Sequence, residues 1–241
     1  MERADYGIDA PYAPVIFGAV ALVGGITATW LWHVGVSPAA LRMTLLSLFF
    51  AGNASSFLYA TRRGKFVEWA RILDSLRLRG DERVLDMGCG RGAVLTAVAR
   101  RLTTGRVSGI DIWSKRDQSG NASDVTVRNA SLEGAADRVD IQTGDMRALP
   151  FPDASFDLVV SSLAIHNIPG RGERRRAIAE AFRVLKPGGR LVIVDIRATA
   201  MYEEALRALG ASEVTRRRLG WRLWWGNPVA ATSLVTASKP A

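Results

Sequence analysis

The chain has almost none of the residues that build a disulfide scaffold or a cluster of soft metal ligands. Its 241 residues hold one cysteine, Cys89, and two histidines, His33 and His166. A single cysteine excludes any intrachain disulfide, so a reducing compartment is sufficient. No metal site is expected. Cys89 lies in a glycine-rich turn where a small side chain is wanted, and a nucleophilic role would require a partner base that the sequence hardly supplies. Lysine is also scarce, since 28 of the 32 basic residues are arginine and the net charge is +9. These charges are scattered, and no basic strand is interleaved with aromatics. They read as solvated faces, and no nucleic-acid partner is expected.

Charge itself is missing from residues 1–61, which carry Arg3 and Arg42 against Glu2, Asp5 and Asp9. Apolar runs take its place. From Pro14 to Trp32 there are nineteen residues without a charge, and as a helix they would be about 28 Å long, close to a bilayer core. A second uncharged run, Met43 to Ala60, follows a break at Ser37-Pro38, with Ser37 suited to an N-cap and Pro38 to the first turn. Helices over about residues 13–35 and 38–61 follow, so residues 1–61 are expected to form a membrane-anchoring hairpin ahead of a catalytic domain at 62–241. The weakly acidic start and the second apolar run argue against a signal peptide. The rival reading is a buried helical pair capping a soluble domain. Gly18, Gly24 and Gly25 on one run, with Ala51, Gly52, Ser55 and Ser56 on the other, are residues that let membrane helices approach closely. The same hairpin offers a route to homo-oligomers. Asn53 is expected to bond across the pair or to face a cavity. Arg62, Arg63 and Lys65 follow the second run directly, which places the catalytic domain on the cytoplasmic side of the membrane.

Beyond residue 64 the pattern alternates between helix and strand. Residues 65–79 place Phe66, Trp69, Ile72, Leu73 and Leu76 at helical spacing. Strands are expected at 83–86, 106–112, 139–143, 156–162 and 190–196, with helices at 93–102, 123–136 and 171–185. This alternation indicates a doubly wound, mainly parallel α/β sheet. The first strand runs into Asp86-Met87-Gly88-Cys89-Gly90-Arg91-Gly92, where glycines allow a tight turn and a ligand lying against bare backbone. The spacing is GxGxG, which does not reproduce the pyrophosphate-binding turn. Asp86 beside it would repel a diphosphate but suit a cation. Asp111 ends the second strand, nineteen residues beyond Gly92, where an acid can accept from ribose hydroxyls. The ligand so described carries a ribose and a positive charge but no phosphate, which fits S-adenosylmethionine.

The segments VLDMGCGRG, GIDI, GDMRALPF, FDLVVSSLAIHNI and RVLKPGGRLVIVDI, in that order across residues 83–197, resemble the successive motifs of class I S-adenosylmethionine-dependent methyltransferases. The resemblance implies a Rossmann-like sheet of seven strands whose last strand is antiparallel, with the final two near residues 213–222 and 231–238. It also implies roles by position. Gly88, Gly90 and Gly92 would border the methionine moiety, with Asp86 near its ammonium group. Asp111 would bind the ribose, with Ile112 beside it. Asp145 would accept from the adenine amino group, Met146 would supply backbone contacts and packing, and Ser161 would lie below the methionine moiety. The segment 111–121 is longer and more polar than the generic link. Trp113 would then cover the adenine with 115–121 as a lid, or the segment is a solvated loop.

Methyl transfer asks the protein to align the acceptor, exclude water and sometimes remove a proton. His166 and Asn167 follow the fourth strand and Asp195 ends the fifth, where the crevice of such a sheet opens. These three are the expected catalytic residues, and Arg197 would bind an anionic acceptor or pair with Asp195. The three Trp residues of WRLWWGNP (221–228) suit either a packed hairpin or a belt at a membrane surface. The anchor favours a lipophilic small-molecule acceptor. The alternatives are a soluble metabolite or protein, with the hairpin serving only location, and a noncatalytic cofactor-binding scaffold.

Overall fold

The computed structural model describes residues 2–241. Helix α1 (Tyr12–His33) and helix α2 (Ser37–Tyr59) run back against each other as an antiparallel hairpin. Gly35, at φ +78°, reverses the chain, and the Val36 amide returns to the Leu31 carbonyl at 3.0 Å. That closure leaves Val36 at the cap position, so Ser37 is the first helical residue rather than the expected N-cap. Close approach comes where small residues meet. A Cβ on Gly24 would stand 3.3 Å from Ser47 Cβ, and Ser47 Oγ donates to the Ala21 carbonyl at 2.6 Å. Asn53 does not bond across the pair. It donates to its own helix at Phe49 and accepts from Asn227 at 3.1 Å, because the C-terminal segment occupies that face.

The second helix does not end where the apolar run ends. A π-turn over Ala60–Gly64 carries it into α3 (Lys65–Leu76), giving one helical stretch from Ser37 to Leu76. The expected boundary at residue 61 therefore falls inside a continuous helix. Gly64 is required there, since any Cβ would collide with the Arg222 carbonyl. Phe57 packs edge-on to Trp225 with centroids 5.2 Å apart, and Tyr59 stacks on Trp221. The WRLWW segment thus divides: Trp225 is buried against the helix base, and Trp221 is 54% exposed.

The remaining strands are β1 (Arg83–Met87), β2 (Arg106–Asp111), β3 (Val139–Thr143), β4 (Phe156–Ser162), β5 (Leu185–Asp195), β6 (Ser212–Arg218) and β7 (Ser233–Ser238). They form one seven-stranded sheet in the order β3-β2-β1-β4-β5-β7-β6, with β7 antiparallel to both neighbours and the other pairings parallel. Helices α4 (Ala93–Ala99), α5 (Ser123–Leu132), α6 (Arg171–Val184) and α7 (Thr199–Ala208) supply the crossovers. Two cores follow, one on each face. The first joins Phe57, Trp69 and Leu73 to Leu95, Val160 and Trp225, and the second joins Leu85, Phe156 and Ile178 to Tyr202 and Leu206. Several expected bounds shift, with α3 ending at Leu76 and α4 at Ala99. Helix α5 stops early because Gly134 turns at φ +66°, and β5 begins at Leu185. Strand β6 ends at Arg218, and α7 was not anticipated.

Candidate active site

Strand order reverses between β1 and β4, so the crevice at their carboxyl ends is where this fold admits ligands. The turn after β1 is pinned by the Gly88 and Cys89 amides, which donate to the Ile110 carbonyl at 2.8 and 3.2 Å. Gly88 and Gly90 line the cavity, both with positive φ. A Cβ on Gly88 would collide with Ala164, and one on Gly90 with the Gln118 amide. Gly92 lies away from the cavity. It starts α4, where a Cβ would come 2.9 Å from Thr126 Cγ2.

Asp86 ends 1% exposed with neither carboxylate oxygen hydrogen-bonded. Burial, and then the charge of Asp111, push its pKa up to about 8. A buried carboxylate without a partner is costly, and a cation delivered into the cavity would relieve it. Asp111 is already engaged: Oδ2 accepts from the Gly90 amide at 2.8 Å, and Oδ1 from the Trp113 amide at 2.6 Å and Asn121 Nδ2 at 3.2 Å. It shapes the glycine turn, and with three of its roughly four acceptor sites taken it keeps one for a ribose hydroxyl. An unpartnered carboxyl group that a cation would ionise, beside bare glycine backbone and with an acid at the next strand end, fits S-adenosylmethionine.

The other expected cofactor residues divide. Ile112, 65% exposed, borders the cavity. Trp113 does not, because its indole packs against the first core and Nε1 donates to Thr143 Oγ1 at 2.7 Å. Asp145 and Met146 both line the cavity. Arg147 grips Asp145 at 2.5 Å and reaches Glu173 at 3.0 Å, holding the Asp145 carboxyl below its ordinary range. Ser161 is withdrawn, since alternation along β4 turns it inward to donate to the Met87 carbonyl at 2.8 Å. Ser162 faces the cavity in its place and accepts from Trp69 Nε1 at 2.9 Å.

The segment offered as a lid borders this site, and a second layer that the sequence did not indicate is tied to it. The N-terminal strap before α1 runs beside the segment 117–119. Ile8 and Ser119 exchange bonds of 2.8 and 3.0 Å, and the Ala10 amide donates to Asp117 at 2.8 Å. Gln118 bridges the two layers, because Oε1 accepts from the Arg91 amide and Nε2 donates to the Tyr6 carbonyl. Asp9 then fastens the strap to the helix base through Lys65 at 2.7 Å and Thr61 at 2.6 Å. The segment 114–121 thus forms part of a tied cover.

Across the cavity, His166 Nδ1 stands 2.5 Å from Asp195 Oδ1. It is not an aligned hydrogen bond, for the ring N–H is not directed at the oxygen. Asp195 is fully buried and also accepts from the His166 amide at 3.1 Å, the Ile196 amide at 2.7 Å and Tyr202 at 3.0 Å. It therefore positions His166 and does not itself line the cavity, whereas His166, Asn167 and Arg197 do. Arg197 does not pair with Asp195. Tyr202 was missed because α7 carries no motif.

The cavity has a volume of about 760 Å³ and does not end at the glycine turn. It continues past Trp69 and Phe66 to Tyr12, Phe57 and Trp225 at the hairpin base. Only packing reveals this arm, since these residues are far apart in sequence.

Comparison with known proteins agrees with the geometry. Residues 85–193 match the family model described as "Methyltransferase domain". The chain is 38% identical over 127 residues to 27-O-demethylrifamycin SV methyltransferase of Amycolatopsis mediterranei, covering 52% of this chain and 42% of that one. It is 34% identical over 134 residues to demethylmenaquinone methyltransferase of Lactiplantibacillus plantarum, covering 55% and 53%. The chain spans about half the length of the curated relatives it matches. A solved geranyl diphosphate methyltransferase in complex with S-adenosylmethionine superposes with a TM-score of 0.59 at 16% identity, covering 72% of this chain and 85% of that one, a likeness of fold. The chain carries a class I S-adenosylmethionine-dependent methyltransferase domain.

Proposed function

Taking that methyltransferase domain as the catalytic half, we propose that this protein methylates a lipophilic small molecule drawn from a membrane in which its hairpin sits. The observation that carries this reading is the cavity's continuity from Asp86 and Gly88 to Phe57 and Trp225, so that one wall of the acceptor space is the hairpin base. Leu22, Val23, Leu48 and Phe49 lie more than half exposed on the hairpin. Helices of this length and composition with such faces suit a bilayer better than water. Arg62 and Arg63 at its base favour the cytoplasmic side. In this reading residues 1–61 anchor and residues 62–241 carry the chemistry, with residues 2–10 crossing over to cover the site. The quinone named for one relative supports an apolar acceptor.

Asp86 would hold the cofactor's ammonium group and Asp111 its ribose. Ile112 and Met146 would flank the adenine, and the adenine amine would compete with Arg147 for the Asp145 carboxylate. Bound there, S-adenosylmethionine supplies a methyl group already activated by its sulfonium. The chain's own part is alignment, dryness and a proton. Phe57, Trp69 and Trp225 hold an apolar body in place and keep water out. His166, turned by Asp195 so that Nδ1 faces the carboxylate, leaves Nε2 to accept a proton from the acceptor. Asn167 and Arg197 bracket the same edge. Incubation with methyl-labelled cofactor and separate lipid and aqueous extracts tests the proposal. Label is expected in the lipid fraction, and label confined to aqueous metabolites or protein would overturn it.

A further inference from the structure

Directly beneath the second apolar helix lies a recess of about 680 Å³ that shares Phe66 with the cofactor cavity. One wall is the π-turn with Arg62 and Arg63, both exposed, and another is the N-terminal strap at residues 4–8. The floor is Arg91. Its Nη2 meets Asp5 at 2.8 Å, its Nη1 donates to the Ser119 carbonyl at 2.8 Å, and its Nε is buried without a partner. Asp5 is the one carboxylate in the lining, and it is already engaged by Arg91 and the Gly7 amide. Three guanidinium groups against one committed carboxylate leave an excess of two positive charges in a recess that opens where the apolar surface of the hairpin stops.

We propose that this recess binds the phosphate of an anionic lipid headgroup. The proposal rests on the membrane reading given above. Guanidinium forks suit phosphate oxygens, and a juxtamembrane position puts them at headgroup depth. The π-turn contributes by the same geometry, since its extra residue brings Arg62 and Arg63 to the strap side together. The occupied recess would also hold the strap, whose residues Tyr6 and Asp9 anchor Gln118 over the glycine turn.

The test uses the full chain with vesicles of phosphatidylcholine alone or mixed with phosphatidylglycerol, and native mass spectrometry of the detergent-released protein. One phosphatidylglycerol should be retained, and phosphatidylcholine should not. Arg62→Gln/Arg63→Gln should weaken retention about 30-fold, at about fivefold per arginine. Arg217→Gln/Arg218→Gln, which removes equal charge from β6 outside the recess, should leave it unchanged. Equal loss in both double variants would reduce the effect to diffuse charge and overturn the site. Equal retention by the Arg62→Gln/Arg63→Gln variant would overturn it as well. Displacement by inorganic phosphate or glycerol phosphate as effectively as by the lipid would assign the recess to soluble phosphates and overturn the lipid source. Failure of the membrane reading is seen separately, as wild-type protein that floats with neither vesicle.

Discussion

Asp86 offers the sharpest test of the cofactor site. Its carboxylate is buried, unpartnered and shifted to about pH 8 by burial and by Asp111. With that value, roughly one carboxyl in a hundred is ionised near pH 6 and about half near pH 8. If the ionised form receives the cofactor's ammonium group, the apparent Kd should be about 50-fold weaker near pH 6 than near pH 8. Binding should release a proton over the same range, seen by calorimetry in two buffers of different ionisation heat. Without cofactor the sign reverses for stability. The folded pKa lies above the ordinary 3.8, so the native state keeps a proton that the unfolded chain has shed. Stability is therefore fully present below about pH 4 and is lost as pH rises toward 8, by at most about 1.4 kcal/mol per pH unit. Asp86→Asn should abolish both slopes, stabilise the cofactor-free protein near pH 8 and weaken cofactor binding by about 10- to 150-fold. A wild-type Kd that stays flat from about pH 6 to 8, or a slope that survives in Asp86→Asn, would refute the assignment.

Three further outcomes follow from the same geometry. His166→Ala should lower kcat by ~10²–10⁴-fold with cofactor affinity within a factor of a few, and Asp195→Asn should do so on the same scale; full kcat in steady-state assays of either would remove the dyad from the mechanism. Ser161→Ala should cost about 1–3 kcal/mol in chemical denaturation through the unpaired Met87 carbonyl, and a large loss of cofactor affinity instead would return Ser161 to the site. Asp9→Ala strands Lys65, whose side chain is 7% exposed, and should cost on the order of 3 kcal/mol. Thermal unfolding should show most of that recovered in Asp9→Ala/Lys65→Met, and no recovery would mean that the strap is not held by this pair.

What the sequence determined by itself is whatever rests on local pattern. Alternating apolar runs placed the strands of the sheet, and charge-free runs placed both long helices, because burial periodicity and hydropathy are properties of neighbouring residues. The glycine turn, Asp86 and Asp111 were legible because a strand end, a turn and an acid lie within one stretch of chain. Tertiary structure decided the rest. Ser161 and Ser162 are adjacent, and only the register of β4 against β1 says which faces the cavity. Ile112 and Trp113 are adjacent too, and only the packing of the Trp113 indole on the core and Thr143 takes it away from the cavity that Ile112 borders. The strap tied by Asp9 and the cavity arm from Trp69 to Phe57 and Trp225 join residues more than ten positions apart, and the helix runs on through residue 61 where its base packs on the distant Arg222 and Trp225. Such contacts depend on how layers pack, and a one-dimensional pattern carries no record of which distant side chains that packing brings together.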